Sequence, residues 1–288
     1  MPKNNRLAAK TKLWGTSMSS TFPRMLAGLF AMAFLLPPSG GPRAASPDAG
    51  DPVFKNLRYT DDFSYLADKS KRVDAWDQFK YMPIGDGKYG PSFLSFGGEV
   101  RERFESYINP NFDIRAPDSN AYLLHRLLLN ADLHVTEYFR SFVQLGNMER
   151  LGNRGTPTTT DINQLDLMQG FVDIRPPLPL PTANLPTFRI GREELLFGFQ
   201  RLIAVREGTN VRRAFDGFRM IEEFRGATFN LFGVRPVADV EGVFDDHTNM
   251  KQLLWGAYFT VPLGEVLKAD LYQLNYQNIQ ARYRNQVG

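Results

Sequence analysis

The segment from Phe93 to Tyr107 alternates charged and apolar side chains with a period of two residues. One parity carries four charged residues: Glu99, Arg101, Arg103 and Glu105. The other parity carries Phe96, Val100 and Phe104. Successive side chains of an extended strand point to opposite faces, so this strand has one charged face and one apolar face. The pattern predicts a strand that lies between water and an apolar phase.

The same two-sided pattern recurs to the end of the chain and predicts nine strands in an all-β, antiparallel, up-and-down sheet. They are placed at Phe93–Tyr107, Tyr122–His134, Tyr138–Met148, Gln164–Ile174, Phe188–Leu196, Asn210–Ile221, Ala227–Val237, Lys251–Val261 and Lys268–Tyr276. Most span about 9 to 13 residues, which fits a tilted membrane strand better than the five or six residues usual in soluble sheets. A transmembrane β-barrel is therefore predicted.

The connections between these strands alternate in length. Long polar loops are expected at 108–121, 149–163, 197–209 and 238–250, and short turns at 135–137, 222–226 and 262–267. Membrane barrels have short turns on one side of the membrane and long loops on the other. The proline-rich stretch Pro176–Pro181 interrupts this rhythm and is interpreted as a stiff extended connector.

The first 45 residues have the order of a secretory signal peptide. A basic start is followed by the apolar run Met25–Leu36 and then by small residues around Ala45. The run is shorter than the roughly 20 residues of a membrane-spanning helix. Residues 46–91 are irregular and are interpreted as a periplasmic lead-in with a short helix near 73–80, and residues 92–288 as the barrel domain. The chain has no cysteine, which excludes disulfides and thiolate metal sites.

The leader also accounts for the basic isoelectric point near 9.0. Six of the 34 basic residues and none of the acidic ones precede Ser46, which leaves 28 basic against 31 acidic residues in the rest of the chain. A nucleic-acid partner is therefore not expected.

Arginines recur on the polar parity of the predicted strands and form the candidate conduit. They are Arg101, Arg103, Arg126, Arg140, Arg192, Arg213 and Arg219, accompanied by Glu99 and Glu194. Planar guanidinium groups pair with carboxylates, so a lumen lined by these residues could pass anionic sugars through many weak contacts. Two alternatives remain open at this point: the polar face of a soluble sheet, and arginine–glutamate pairs that only brace the structure.

Other motifs give little support for catalysis or cofactor binding. Gly85–Gly90 matches G-x-G-x-x-G, but a strand rather than a helix follows it. Asp245, Asp246 and His247 are interpreted as a solvated loop, and His125 and His134 are not expected to form a metal-ligand pair. No G-x-S-x-G nucleophile motif is present. We therefore predict no enzyme activity, no cofactor and no metal site.

Several segments resemble the alginate-export family of outer-membrane channels. They are Gly97–Arg103, Arg126–Asp132, Phe142–Leu145, Gly191–Leu195, Arg213–Gly217 and Trp255–Tyr258. The resemblance implies a monomeric 18-stranded barrel whose electropositive lumen passes a polyanionic polysaccharide outward, with Arg101, Arg103, Arg126, Arg192 and Arg213 on family-like positions. Family members are longer, so about half of the strands of a family barrel are expected here, from a truncated frame or a two-chain barrel.

The sequence thus predicts an outer-membrane channel that conducts an anionic polysaccharide such as alginate by passive, charge-selective diffusion. Its expected partners are the polysaccharide or smaller organic anions, outer-membrane lipid and periplasmic export machinery. The alternatives are a general uptake porin for small organic anions, a secreted soluble β-sandwich that binds polysaccharide, and a structural surface protein.

Overall fold

The computed structural model describes residues 54–85, 90–109, 119–152, 158–177 and 185–281. The signal peptide, the centre of the glycine motif, most of the proline-rich connector and the last seven residues lie outside these ranges. The strands are β1 (Met82–Pro83), β2 (Phe93–Ile108), β3 (Ser119–Thr136), β4 (Phe139–Leu151), β5 (Asn163–Ile174), β6 (Thr187–Glu193), β7 (Phe215–Phe224), β8 (Ala227–Ala238), β9 (His247–Thr248), β10 (Gln252–Leu263) and β11 (Leu267–Asn278).

All of these strands belong to one antiparallel sheet. Each long strand pairs with its neighbours in sequence, in the order β1 to β8, then β10 and β11, and β9 pairs with the end of β8. This up-and-down order confirms the predicted all-β antiparallel fold. Long and short connections alternate as expected. The connection 175–186, which contains the proline-rich stretch, is the expected exception because it is long where a short turn would fit the alternation.

Two strand predictions need correction. The strand predicted at Asn210–Ile221 begins only at Phe215, and the one predicted to end at Leu196 ends at Glu193. Residues 194–214 instead form one long connection, here called the inner loop. Its Asn210 amide donates to the carbonyl oxygens of His125, Glu149 and Asp161, so this part of the chain is held by β3 and β4 rather than by a strand ladder.

The alternation seen in the sequence sorts side chains onto two faces of the sheet. Arg101 of β2 lies opposite Arg126 of β3, and Arg126 lies opposite Met148 of β4. Arg126 and Met148 are fully buried, and we call this side the inner face. On the opposite, outer face, Phe96, Val100 and Phe104 are 45%, 67% and 70% exposed. The charged face is thus covered by protein, and the apolar face is left open.

The inner loop and residues 54–81, here called the lead segment, cover the inner face. The inner loop touches β2 where Arg101 donates to the Glu207 carbonyl, and it touches β10 where Phe197 stacks on Tyr258 at 4.7 Å. β2 and β10 lie near opposite edges of the sheet. One loop reaches both strands because the sheet curves around it, as the wall of a barrel does.

The lead segment docks through aromatic residues. Tyr59 is buried between Phe142 of β4 and Phe171 of β5, with ring centroids 6.1 and 5.3 Å away. Its hydroxyl donates to the Glu194 carbonyl at 3.0 Å. The segment predicted as an irregular lead-in therefore packs against the inner face of the sheet.

Regular helix is scarce in the lead segment. The predicted helix near 73–80 is reduced to α1 (Asp77–Lys80), preceded by three short 3-10 turns. Asp77 accepts the Val73 and Asp74 amides and pairs with Lys80 at 2.8 Å, and these contacts lower its pKa to about 2 although burial opposes the shift. Among the described residues, no helix is long and apolar enough to span a membrane.

Glycine is required at two positions, one in a tight turn and one where two strands lie close together. The β7–β8 hairpin turns through Arg225 and Gly226, both with positive φ (50° and 80°), as a two-residue type I′ turn requires. In β6, Gly191 has φ of 135°, and a Cβ there would lie 2.2 Å from the Gly170 carbonyl oxygen. Only glycine lets β5 and β6 approach so closely.

Candidate functional site

The inner face holds two clusters of paired charges, and both include residues of the covering segments. The first, here called the Glu207 cluster, gathers arginines around a glutamate of the inner loop. Glu207 Oε1 lies 2.5 Å from Arg126 Nη2 and 3.3 Å from Arg101 Nη1, and its Oε2 lies 3.4 Å from Arg212 Nη1. Three guanidinium groups from β2, β3 and the inner loop therefore share one carboxylate.

Two more carboxylates complete this cluster. Glu99 of β2 accepts from Arg126 at 2.5 and 3.0 Å and from Arg58 of the lead segment at 3.1 Å. Glu194 lies 2.9 Å from Arg212 Nη2. Arg126, Arg212 and Glu194 are each at most 2% exposed, so these charges are stabilised by one another rather than by water.

The second cluster, here called the Asp173 cluster, lies nearer the short-turn end of the sheet. Arg189 of β6 forms a bidentate pair with Asp173 of β5, with both N–O distances at 2.7 Å. Arg189 and Arg219 both lie 3.1 Å from Glu193. Arg140 pairs with Asp132 at 2.6 Å and also donates to the Tyr59 carbonyl.

Aromatic rings of the same region cover the guanidinium group of Arg189. Its central carbon lies 3.7 Å from the Phe171 ring centroid and 4.3 Å from that of Tyr59. Cation–π contact of this kind favours arginine over lysine. The Asp173 cluster is thus a dry, fully packed arrangement of charges.

At the long-loop end, a third group of acidic residues holds the connection 239–251. The buried Asp166 of β5 accepts the backbone amides of Asp245 and Asp246 at 2.9 and 3.0 Å, and all three carboxylates lie within 4.8 Å of one another. These hydrogen bonds tie the connection 239–251 to β5.

Comparison with known proteins agrees with this architecture. The model of the alginate-export family matches residues 92–288, which cover every long strand and the inner loop. The chain belongs to the alginate-export family. No curated protein and no solved structure gives a significant match.

Six of the residues predicted for the conduit of this alginate-export family member lie within the two clusters. They are Glu99, Arg101, Arg126, Arg140, Glu194 and Arg219. Arg103 lies beside them on β2, where it pairs with Glu105 at 2.7 Å and donates to the Gly208 carbonyl at 2.5 Å. The single strand Phe93–Tyr107 therefore supplies three of the residues that the sequence singled out.

Three of the predicted residues, Arg192, Glu194 and Arg213, are placed differently from what their strand parity suggested. Arg192 pairs with Asp216 on the facing strand β7, at 2.8 and 3.2 Å, and not with Glu194. Glu194 follows the end of β6 and pairs with Arg212. Arg213 was wrongly assigned to a strand, because residues 210–214 belong to the inner loop.

Four central residues were missed by the sequence reasoning: Arg58, Arg189, Glu207 and Arg212. Arg189 is on the opposite parity of β6 from Arg192, which had been used to set the polar face. Arg189 lies directly opposite Asp173 in the β5–β6 pair, and this pairing of opposite charges could have identified it. Arg58, Glu207 and Arg212 lie outside strands, where no periodicity marks the direction of a side chain.

Two carboxyl groups outside the strands have strongly perturbed acidities. Burial raises the pKa of Glu194 to about 7, although Arg212 acts in the opposite direction. Burial and the neighbouring Asp246 raise the pKa of Asp239 to about 7. Perturbed groups mark candidate functional sites, and both lie where covering loops meet the sheet.

Proposed function

We propose that this member of the alginate-export family forms the wall of an outer-membrane channel that passes an anionic polysaccharide such as alginate by passive, charge-selective diffusion. Family membership supports an outer-membrane polysaccharide export channel rather than an enzyme. The observation that carries the finer proposal is the sorting of charge: Arg101 and Arg126 lie on the inner face, whereas Val100 and Phe104 are open on the outer face.

The chemistry of arginine supports the choice of substrate class. A polyuronate carries repeated carboxylates, and guanidinium groups on successive strands offer repeated bidentate partners. Each contact between a sugar carboxylate and an arginine must be weak enough to be exchanged for the next one. Nearby carboxylates such as Glu99 and Glu207 weaken these contacts because they compete for the same arginines. No bond is made or broken in this function.

The exposed outer face argues against the soluble β-sandwich. In a sandwich the apolar face would pack against a second sheet. Within the described ranges there is one sheet, and Phe96, Val100 and Phe104 remain at least 45% exposed on it. The expected partners of these side chains are the lipids of an outer membrane, reached after export by the signal peptide.

Recordings from planar bilayers containing the purified full-length protein test the proposal. Alginate oligomers are expected to block ion current in a concentration-dependent manner, whereas neutral dextran oligomers of similar size are not. The double variant R101Q/R126Q should weaken the block by about tenfold or more, because two charge-assisted contacts are lost. The matched control is R201Q, which changes an exposed arginine of the inner loop.

Equal block by dextran and alginate would contradict charge selection. Conductance of small organic anions without any block by alginate would favour the uptake porin. A product that stays in the soluble periplasmic fraction without detergent would exclude the membrane channel.

A further inference from the structure

Glu207 contacts the arginines of the inner face in the way that a bound carboxylate ligand would. It belongs to the inner loop, yet its carboxylate contacts Arg126 of β3 and Arg101 of β2 as well as Arg212 of its own loop. Its side chain is 37% exposed, whereas those of Arg126 and Arg212 are 1% and 2% exposed. A carboxylate that is partly exposed to solvent therefore contacts two buried guanidinium groups.

The charges around Glu207 balance only while its carboxylate is present. Four arginines are paired with four carboxylates: Arg58, Arg101, Arg126 and Arg212 with Asp61, Glu99, Glu194 and Glu207. Without Glu207 the cluster would carry an excess of one positive charge. A desolvated excess of this kind is costly and favours the binding of an anion.

Donor groups are also left over in the cluster. The Nη1 group of Arg126 and the Nε groups of Arg101 and Arg212 are buried and donate to no acceptor of the described protein. An arginine has five donors, and a bidentate carboxylate uses two of them. The three side chains could thus bind more carboxylate oxygen than Glu207 provides.

Glu207 belongs to a turn of the inner loop and not to a strand. The backbone of this turn is held on the β2 side, where Arg101 donates to the carbonyls of Glu207 and Thr209 and Arg103 to that of Gly208. The neighbouring Arg206 has positive φ (58°), a strained conformation for a non-glycine residue. A small change of this turn moves the carboxylate without unfolding the sheet.

We propose that Arg101, Arg126 and Arg212 form a carboxylate-binding site of the channel and that Glu207 occupies it as an internal competitor until a uronate carboxylate displaces it. The proposal rests on the proposed function, because it assigns a binding site and a resting state to the same arginines of the inner face. Its ligand class is the carboxylate of an anionic sugar chain.

The variant E207Q tests the competition in the same bilayer recordings. Glutamine keeps the size of the side chain and removes its charge, so the concentration of alginate oligomers that blocks half of the current should fall by about tenfold, the worth of one charge-assisted contact. The matched control E241Q changes an exposed glutamate of the connection 239–251 and should leave this concentration unchanged. An E207Q channel with wild-type block would overturn the proposal.

A second measurement does not need conduction. The chain has no cysteine, so E207C introduces a single thiol. The arginines should make this thiol react faster with a negatively charged methanethiosulfonate than with a positively charged one, and alginate oligomers should protect it, whereas E241C should show neither effect. Equal rates without protection would exclude the carboxylate site.

The outcomes separate the two proposals. Wild-type protein that alginate does not block refutes the proposed function, whatever E207Q does. Wild-type protein that alginate blocks, with E207Q unchanged and E207C unprotected, refutes only the role of Glu207.

Discussion

Arg189 and Asp173 form a bidentate ion pair on the inner face, with both guanidinium–carboxylate distances at 2.7 Å across the β5–β6 pair. Both side chains are buried, and the Arg189 guanidinium contacts the rings of both Phe171 and Tyr59. The pair thus joins two strands to the lead segment. A buried pair of this kind costs desolvation energy that its geometry must offset.

Removal of one partner should therefore be far more harmful than removal of both. R189M leaves the Asp173 carboxylate buried, and we expect the free energy of unfolding to fall by about 3 to 5 kcal/mol. R189M/D173L should recover part of this loss, because the Asp173 charge is removed and Glu193 keeps its pair with Arg219. Urea unfolding of the protein folded in detergent measures both, with R201M as the exposed control. A double variant as unstable as R189M would show that packing, not charge, dominates.

The close approach of β5 and β6 gives a second prediction. In G191A the new Cβ would lie 2.2 Å from the Gly170 carbonyl oxygen, at a φ of 135° that alanine disfavours. We expect a loss of at least about 2 kcal/mol in unfolding free energy. G233A is the matched control, because a Cβ at Gly233 of β8 meets no atom within 4 Å. Equal stability of the two variants would mean that β5 and β6 can separate without cost.

Strands such as β2 and β4 could be predicted from the sequence because their side chains alternate between the two faces of the sheet. Phe93–Tyr107 alternates over most of its length, and the structure extends this strand only by Ile108. The covering segments could not be predicted in this way. The inner loop is apolar at Leu195, Phe197 and Ile203 because it packs against β7, β8 and β10. Leu195 was assigned to the end of a strand, whereas Phe197 and Ile203 were placed in the predicted loop 197–209 without a contact to the sheet.

The candidate site shows the same division. Arg101 and Arg126 were found because strand parity fixes their direction, and the register places them opposite each other. Glu207 and Arg58 were not found because a loop and a lead segment bring them to the wall, and tertiary packing alone decides where those chains run. One polar pair, Glu102 and His125, lies on the outer parity, so parity does not sort every charge.

Lipid contact of the outer face gives a third prediction. Val100 is 67% exposed and lies on the parity of Phe96 and Phe104. V100R should reduce the stability of the membrane-inserted form by about 2 to 4 kcal/mol if this position lies near the bilayer centre. The fraction of protein that folds into vesicles, followed by its resistance to protease, measures the effect. V100L is the control, and equal folding of V100R and V100L would place Val100 in water.

Buried Glu194 gives a prediction for pH. Burial raises its pKa to about 7 from the ordinary value of 4.5 for a glutamate. Between these two values the folded protein retains a proton that the unfolded chain has released, so stability is lost as the pH rises through this interval. Wild-type protein should therefore be more stable at about pH 5 than at about pH 8, by on the order of 2 kcal/mol from this group.

E194Q separates this contribution from that of other groups. Glutamine cannot lose a proton, so the variant should have a flatter stability profile between about pH 5 and pH 8 and exceed the wild type at the upper end. E265Q, which changes an exposed residue in the β10–β11 turn, should keep the wild-type slope. Arg212 pairs with both Glu194 and Glu207. If the stability of E194Q instead falls more with rising pH than that of the wild type, the Arg212 ion pair outweighs the effect of burial on Glu194. Urea unfolding at the two pH values distinguishes these outcomes.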